Sequence, residues 1–418
     1  MSKIQYVDQL AKNVQRASRT LRALSTETRN QVLRRVAELL RMETPALLVA
    51  NANDVQSAQQ QGISKAMLDR LTLTEARVND IATAVEEIAE LPDPLNRELE
   101  ARTMANGAKL SRVSTPIGAV LFIYESRPNV TIDGAALCFK SGNAVILRGG
   151  KESVASSIAL AEVFRKALRE AKIDVDAVQL VNTVDREVVS LLLQRNDALD
   201  LVIPRGGESL IRAVTEQSKI PVIKHYKGIC HIYVDQSAKL DMAASILFNA
   251  KTQRPSTCNT VETLLFDERL GAESIRKLVK PLLEKGVELF GDQASCLAIP
   301  EAKPIASPEQ YGMEYLELKA SVRVVKNVQE AVDHIETYSS RHTDSVVAED
   351  SAVQEYFLNH VDSSSVMVNA STRLADGGIY GLGAEVGIST DKLHARGPMG
   401  VESLCSYKWI VRGNGQLR

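Results

Sequence analysis

Cys258 lies in the run Gln253-Arg254-Pro255-Ser256-Thr257-Cys258-Asn259-Thr260, between a helix-like stretch from Leu240 to Lys251 and a strand-like one from Val261 to Phe266. A thiol at a helix-to-strand junction, among small polar residues and after Lys251 and Arg254, is open to substrate and close to positive charge. Those are the requirements of a nucleophile. The competing reading of a single cysteine is a small buried filler, and residue type alone does not choose between them.

Two further loops share one design. Strand-like Ala144 to Leu147 runs into Arg148-Gly149-Gly150-Lys151-Glu152-Ser153, and strand-like Leu201 to Ile203 into Pro204-Arg205-Gly206-Gly207-Glu208-Ser209; each then opens a helix. Glycines let the backbone turn tightly and approach a ligand, and the N–H groups of a helix start attract anionic oxygen. Arg148, Lys151 and Arg205 add positive charge. Neither loop is a G-x-x-x-x-G-K-[ST] or a G-x-G-x-x-G motif, so two glycine turns with solvated arginines remain an open alternative. Gly381-Leu382-Gly383-Ala384-Glu385-Val386-Gly387 has one residue too many for a dinucleotide fingerprint and lacks a strand-into-helix context. Adjacent Cys230 and His231 point to opposite faces of a strand, and the other histidines show no ligand spacing, so no metal is expected.

The elements that must position these loops alternate along the chain. Leu33, Val36, Leu39 and Leu40 recur at helical spacing in a lead-in from Thr26 to Gln61, and periodicity shows no strand before about residue 110. After Pro116 come apolar runs at Val120–Ile123, Ala144–Leu147, Leu201–Ile203, Val222–Ile223 and Ile232–Val234, with helices between them. One such helix carries Val154, Ile158, Ala161, Phe164, Leu168 and Ala171 on one face. A second block holds Thr263–Phe266, a helix near Glu273–Lys285, Val322–Val325, Ser345–Val347 and Ser365–Val368. Branched strands separated by helices imply parallel sheets covered on both faces. The economical reading is two α/β domains joined near residues 235–240. After Asp376 the chain is glycine-rich and ends in Cys405-Ser406-Tyr407-Lys408-Trp409-Ile410-Val411, a strand suited to docking onto something else.

Composition permits this chemistry and excludes others. The 418 residues are 44% hydrophobic with a net charge of -2, enough for full cores and without a basic field for nucleic acid or anionic lipid. The five cysteines are scattered, with no disulfide rhythm, and fit a reducing cytoplasm. No signal core or membrane span is seen. Small molecules and further copies of the chain are the expected partners.

Pro116-Ile117-Gly118, Ser141-Gly142-Asn143-Ala144-Val145-Ile146-Leu147-Arg148 and the cysteine loop after Phe248-Asn249-Ala250 together resemble the aldehyde dehydrogenase superfamily. Within it, Ile123-Tyr124-Glu125-Ser126-Arg127-Pro128-Asn129-Val130-Thr131, Arg254-Pro255-Ser256-Thr257-Cys258-Asn259 and Arg341-His342-Thr343-Asp344 resemble the γ-glutamyl phosphate reductases, over nearly the whole chain. The resemblance implies an aldehyde dehydrogenase-like α/β fold. Its parts are a Rossmann-type NADP-binding domain over 1–236, interrupted by a hairpin near 97–115; a catalytic domain over 237–378 carrying Cys258; and a C-terminal segment, 379–418, that joins the hairpin in a small β oligomerisation arm. It also implies NADPH-dependent reduction of L-glutamyl 5-phosphate to L-glutamate 5-semialdehyde in proline biosynthesis, a homo-oligomer in the cytoplasm, and glutamate kinase as a candidate partner.

Site residues carry over by position. By the resemblance, Cys258 would attack the acyl phosphate and expel phosphate to give a thioester, which hydride would convert to the aldehyde. The backbone N–H of Cys258 and a side chain near Arg127, which aligns with the family's oxyanion asparagine, or Asn129, which has its chemistry, hold the oxyanion. Arg148, Gly149, Gly150 and Lys151 match the adenosine end of the cofactor, with Lys151 at a place where a cation favours a 2′-phosphate. Gly206, Gly207 and Glu208 match the pyrophosphate loop, and Glu314 the nicotinamide ribose. Glu125, Arg127, Arg254, His394 and Arg396 are the candidates for the substrate's amino and carboxylate groups. The hydrolytic members' water-activating glutamate has no counterpart beside Lys227, where the chain reads Ile223-Lys224-His225-Tyr226; only His225 could act as a base. That absence argues against the first rival, an aldehyde-oxidising enzyme of the same fold. The intact cysteine and glycine loops argue against the second, a catalytically silent scaffold.

Overall fold

The computed structural model describes residues 1–224 and 226–417; His225 and Arg418 lie outside the described residues, and with His225 the reading of it as a base. In chain order the strands are β1 (Glu98–Thr103), β2 (Lys109–Pro116), β3 (Ala119–Tyr124), β4 (Ala144–Arg148), β5 (Val178–Leu180), β6 (Leu201–Arg205), β7 (Cys230–Val234), β8 (Val261–Asp267), β9 (Glu288–Gly291), β10 (Lys303–Pro304), β11 (Lys319–Val325), β12 (Thr343–Val347), β13 (Ser365–Val368), β14 (Gly387–Ser389), β15 (Gly397–Met399) and β16 (Cys405–Arg412). The chain forms two compact units. One is Met1–Lys224 with Leu382–Gly387 and Met399–Arg418; the other is His225–Gly381 with Ile388–Pro398.

The first unit begins with helices Lys3–Leu21, Thr26–Met42, Thr44–Gln60 and Glu75–Glu90. Ser2, Ser25 and Thr74 start three of them by accepting the N–H of Gln5, Thr28 and Arg77, which satisfies otherwise orphaned donors. Leu33, Val36, Leu39 and Leu40 are fully buried, as their spacing predicts. A parallel four-stranded sheet follows in the order β5-β4-β3-β6. Every side chain of β3 is buried, which is why Val120-Leu121-Phe122-Ile123 shows no alternation. The order reverses direction between β3 and β6, and the carboxyl ends of such neighbours form the crevice where doubly wound sheets bind ligands. Val222–Ile223, expected as a strand, makes only an isolated bridge from Val222 to Val202.

The motifs that carry the family resemblance latch this sheet together. Asn143 accepts the N–H of Gly118 through Oδ1 at 2.7 Å and donates from Nδ2 to the Leu404 carbonyl at 2.8 Å. Gly142 ends the helix Pro128–Lys140 with φ of +72°, and a Cβ there would stand 2.8 Å from both Leu95 and Pro116. Apart from this sheet, β1, β2 and β16 pair antiparallel. Strand β1 lies earlier than periodicity indicates because Glu98, Glu100 and Arg102 line one face and the other offers only the apolar Leu99 and Ala101, both exposed; its pairing with β2 makes it a strand.

The second unit is a seven-stranded parallel sheet in the order β10-β9-β11-β8-β7-β12-β13. Here the structure departs from the expected division at residue 236. Ile232–Val234, read as the last run of the first block, belongs to β7, which pairs with β8 and β12. A local apolar run identifies a strand but carries no information on which sheet receives it. Successive residues feed opposite cores, as strand geometry requires. Ile232, Val234, Leu264 and Phe266 pack with Leu247, Leu278 and Leu282, while Tyr233 and Leu265 pack with Ile335 and Phe357. Helix Leu240–Thr252 and β8 thus become fixed rails for the loop between them. Among the described residues no helix is long and apolar enough to cross a membrane.

Candidate active site

The rails are joined by charge. Lys251, at the end of its helix, is fully buried and donates to the Val261 carbonyl at 3.0 Å and to Glu262 Oε2 at 2.8 Å. Burial pulls the lysine down and pushes the Glu262 carboxyl up to about 7, while each partner's charge works against that shift. The pair closes the base of the loop, and Glu262 Oε1 also accepts the Leu316 N–H at 3.2 Å. Within the loop the Arg254 carbonyl accepts both the Thr257 and Thr260 hydroxyls, at 2.9 and 2.7 Å. Asn259 Nδ2 donates to the Ala375 carbonyl at 3.0 Å.

Cys258 is half-buried on this frame. Beneath it Gly228 leaves no room for a side chain: an added Cβ would lie 1.8 Å from the Cys258 carbonyl oxygen. The Gly228 N–H donates to Glu314 Oε1 at 2.8 Å, so Glu314 is brought to the cysteine loop. Cys230 Sγ donates to the Cys258 carbonyl at 3.3 Å and lies 3.8 Å from His342 Nδ1. Burial raises the Cys230 thiol well above its usual range, which keeps it a protonated donor. Cys138 and Cys405 are also raised, to about 12, by burial. The filler reading of cysteine describes these three.

The other candidates in this unit are placed as follows. Arg254 is exposed on the loop. Arg396 is committed to Asp362, reaching its carboxylate at 2.7 Å and its carbonyl at 2.8 Å, and Lys392 shares that carboxylate. The two cations hold the Asp362 carboxyl below the usual carboxylate range. His394 sits at φ of +49° in the same segment. Asp344 of the Arg341–Asp344 motif accepts both the backbone N–H and ring Nδ1 of His231, at 2.8 and 2.9 Å, as a buried structural pair. Arg373 was not foreseen. Its Nε donates to Gln253 Oε1 at 2.8 Å, and it lies within electrostatic reach of Cys258 and Arg254. A lone arginine in the tail after β13 has no spacing to give it away.

The first unit holds the remaining candidates at the ends of its parallel strands. Arg148 closes β4; burial lowers its guanidinium, and its Nε is buried without a hydrogen-bond partner among the described residues. Gly149 and Gly150 line a small cavity with Ser157 and with the run Val181, Thr183 and Val184, none of which was singled out in sequence. The beginning of that run, directly after the short β5, is the signal that could have found them. Lys151 is exposed, with Glu152 3.9 Å away. Gly206 and Gly207 lead into helix Glu208–Gln217, where Glu208 pairs with Arg212 at 2.7 Å. The Gly207 N–H, expected to await an anion, donates instead to Glu125 Oε1 at 2.7 Å. Glu125, a substrate candidate by sequence, therefore braces this loop; a Cβ on Gly206 would also strike it. Arg127 is the N-cap of helix Pro128–Lys140, and Asn129 Nδ2 donates to Asp133 Oδ2 at 2.9 Å. Burial pushes the Asp133 carboxyl up to about 6, against the pull of Asn129 and Arg205.

Glycines at the strand ends, an orphaned buried guanidinium nitrogen and a crevice at the reversal of strand order fit a dinucleotide. No group of three metal-ligating side chains occurs among the described residues. The family model for the aldehyde dehydrogenase family matches residues 2–287. Solved aldehyde dehydrogenases share the fold at low identity, as with a probable one from Listeria monocytogenes at 15% identity, TM-score 0.70, covering 99% of this chain and 98% of that one. Similarity is far higher to the γ-glutamyl phosphate reductase of Thermodesulfovibrio yellowstonii, 47% identical over 98% of this chain and 97% of that one. The crystal structure of the Thermotoga maritima enzyme of that name is 39% identical, with a TM-score of 0.97 over 99% of each chain. The chain belongs to the aldehyde dehydrogenase family, within its γ-glutamyl phosphate reductase branch, and is an oxidoreductase that uses a nicotinamide cofactor.

Proposed function

We propose that this chain reduces L-glutamyl 5-phosphate to L-glutamate 5-semialdehyde in proline biosynthesis, with NADPH as reductant and the acyl group carried on Cys258. The activity rests on membership of the branch, and the mechanism on one observation: Cys258 is the half-buried sulfur of a loop braced on both sides, by Lys251 with Glu262 and by Gly228. Cys258 Sγ attacks the C5 carbonyl carbon; the C–O bond to phosphate breaks and its electron pair leaves with phosphate, giving a thioester. A nicotinamide held by the residues named below would supply the hydride that this carbon takes up. The C–S bond then breaks, returning the thiolate. The Cys258 N–H, with Arg127 or Asn129, stabilises the oxyanions. No carboxylate stands at residues 223–227 to activate water, so the thioester is kept for hydride.

Lys151 and Arg148, with Gly149, Gly150, Gly206, Gly207 and Glu208, hold the adenosine end and pyrophosphate, and Glu314 holds the nicotinamide ribose. A cation at Lys151 selects the 2′-phosphate, so Lys151→Glu should move preference toward NADH. The first unit acts as the cofactor domain and the second as the catalytic domain. Copies associate through β16, whose Tyr407, Trp409 and Val411 are exposed. The test is the reverse reaction: glutamate semialdehyde should sustain multiple turnovers of NADP⁺ reduction only when phosphate is present to release the thioester. Phosphate-independent activity would mean a hydrolytic dehydrogenase, and no activity under any condition a silent scaffold.

A further inference from the structure

The turn Thr372–Leu374 is fastened to the cysteine loop at two points. Arg373 Nε donates to Gln253 Oε1 at 2.8 Å, and the Ala375 carbonyl accepts from Asn259 Nδ2 at 3.0 Å. Gln253 and Asn259 flank Cys258 in sequence, so the turn runs beside the segment that presents the sulfur. The guanidinium is half-buried, and its hydrogen bond among the described residues is to a neutral amide. Withdrawal from water and the like charge of Arg254 both disfavour its charged state, while Asp376 and the sulfurs of Cys258 and Cys230 favour it. An anion beside the half-buried Arg373 would offset both its partial loss of water and the like charge of the exposed Arg254. Gln253 takes only the Nε edge, and the terminal nitrogens of a guanidinium form a fork that matches paired anionic oxygens.

The substrate proposed above brings two such groups, the phosphate on the carbon that Cys258 attacks and the α-carboxylate at the far end of the glutamyl chain. We propose that Arg373 binds an anionic oxygen group of the acyl substrate beside Cys258, either the phosphate or the α-carboxylate. The inference rests on the reading of Cys258 as the nucleophile, and it makes Arg373 a catalytic-site ligand that sequence spacing does not reveal.

The test is steady-state kinetics of the reverse reaction, with NADP⁺, glutamate semialdehyde and inorganic phosphate, for Arg373→Gln and Arg373→Lys. Loss of a charge-assisted fork should raise one KM by about tenfold or more. A rise for phosphate identifies the leaving group as the ligand; a rise for the semialdehyde identifies the carboxylate. The KM for NADP⁺ and the thermal midpoint should stay near wild type, and Arg373→Lys should recover part of the loss. Both KM values within twofold of wild type in Arg373→Gln would overturn the proposal. So would unchanged KM values with a shifted pH dependence of Cys258 alkylation by iodoacetamide, since Arg373 would then act on the thiol alone. Cys258→Ala separates the two readings: turnover in that variant removes the nucleophile assignment, while the KM values of Arg373→Gln still report on the anion.

Discussion

Gly228→Ala is the sharpest perturbation of the cysteine loop. The added Cβ would lie 1.8 Å from the Cys258 carbonyl oxygen and 2.4 Å from its Cα and carbonyl carbon, where ordinary contact begins at 3.4 Å. All three atoms are backbone, so no side chain can swing aside, and one backbone must retreat by well over an ångström. Overpacking of this kind costs about 1–3 kcal/mol of stability, and a misplacement of about 1 Å at a reacting group costs on the order of 100-fold in rate. The variant should therefore lose roughly 100-fold in kcat of the phosphate-dependent reverse reaction. Its thermal midpoint should fall by only a few degrees. Cys258 alkylation, followed by peptide mapping, should change alongside. Gly312→Ala is the control, because its Cβ would have its nearest neighbour 4.0 Å away. Wild-type kcat and alkylation in a folded Gly228→Ala enzyme would refute the claim that this glycine sets the position of the sulfur.

Two further outcomes follow from buried charge. Lys251→Met strands the Glu262 carboxylate and should cost about 3–5 kcal/mol, whereas Lys251→Met with Glu262→Leu should recover most of the loss in thermal or denaturant unfolding; equal stability of single and double variants would contradict the buried pair. Asp133 has a carboxyl raised to about 6, so the unfolded chain ionises it near pH 4 while the fold keeps the proton. Its contribution is complete below about pH 4 and is lost as pH rises through about 6, by at most ~3 kcal/mol. Asp133→Asn should flatten that slope in unfolding measured across the window, and an unchanged slope would remove the assignment.

Parts of this structure could be read directly from the chain. Val120–Ile123 and Ala144–Leu147 declare themselves because a parallel strand buried on both faces is apolar throughout. Strand β1 does not, since Glu98, the half-buried Glu100 and Arg102 have no apolar partner pattern and pairing alone fixes them. The destination of β7 was equally hidden: a run such as Ile232–Val234 is the same in either sheet. In the candidate site, the flanking residues point to a presented thiol at Cys258, and the fold leaves that residue half-buried on a braced loop. The bracing of Gly207 by Glu125, of Gly228 by Glu314 and of the cysteine loop by Arg373 joins residues distant in sequence, and side-chain type carries no record of such partners. Arg396 shows the converse, a cation suited to substrate that the fold spends on Asp362.

The central claim is that Cys258 carries the acyl group between phosphate and hydride. Enzyme mixed with glutamate semialdehyde and NADP⁺ in the absence of phosphate should form one equivalent of NADPH per site in a burst and stop, with a glutamyl adduct on the Cys258 peptide by mass spectrometry. Added phosphate should release that adduct and restart turnover. A burst of the same size in Cys258→Ala, or an adduct on any other residue, would contradict the account.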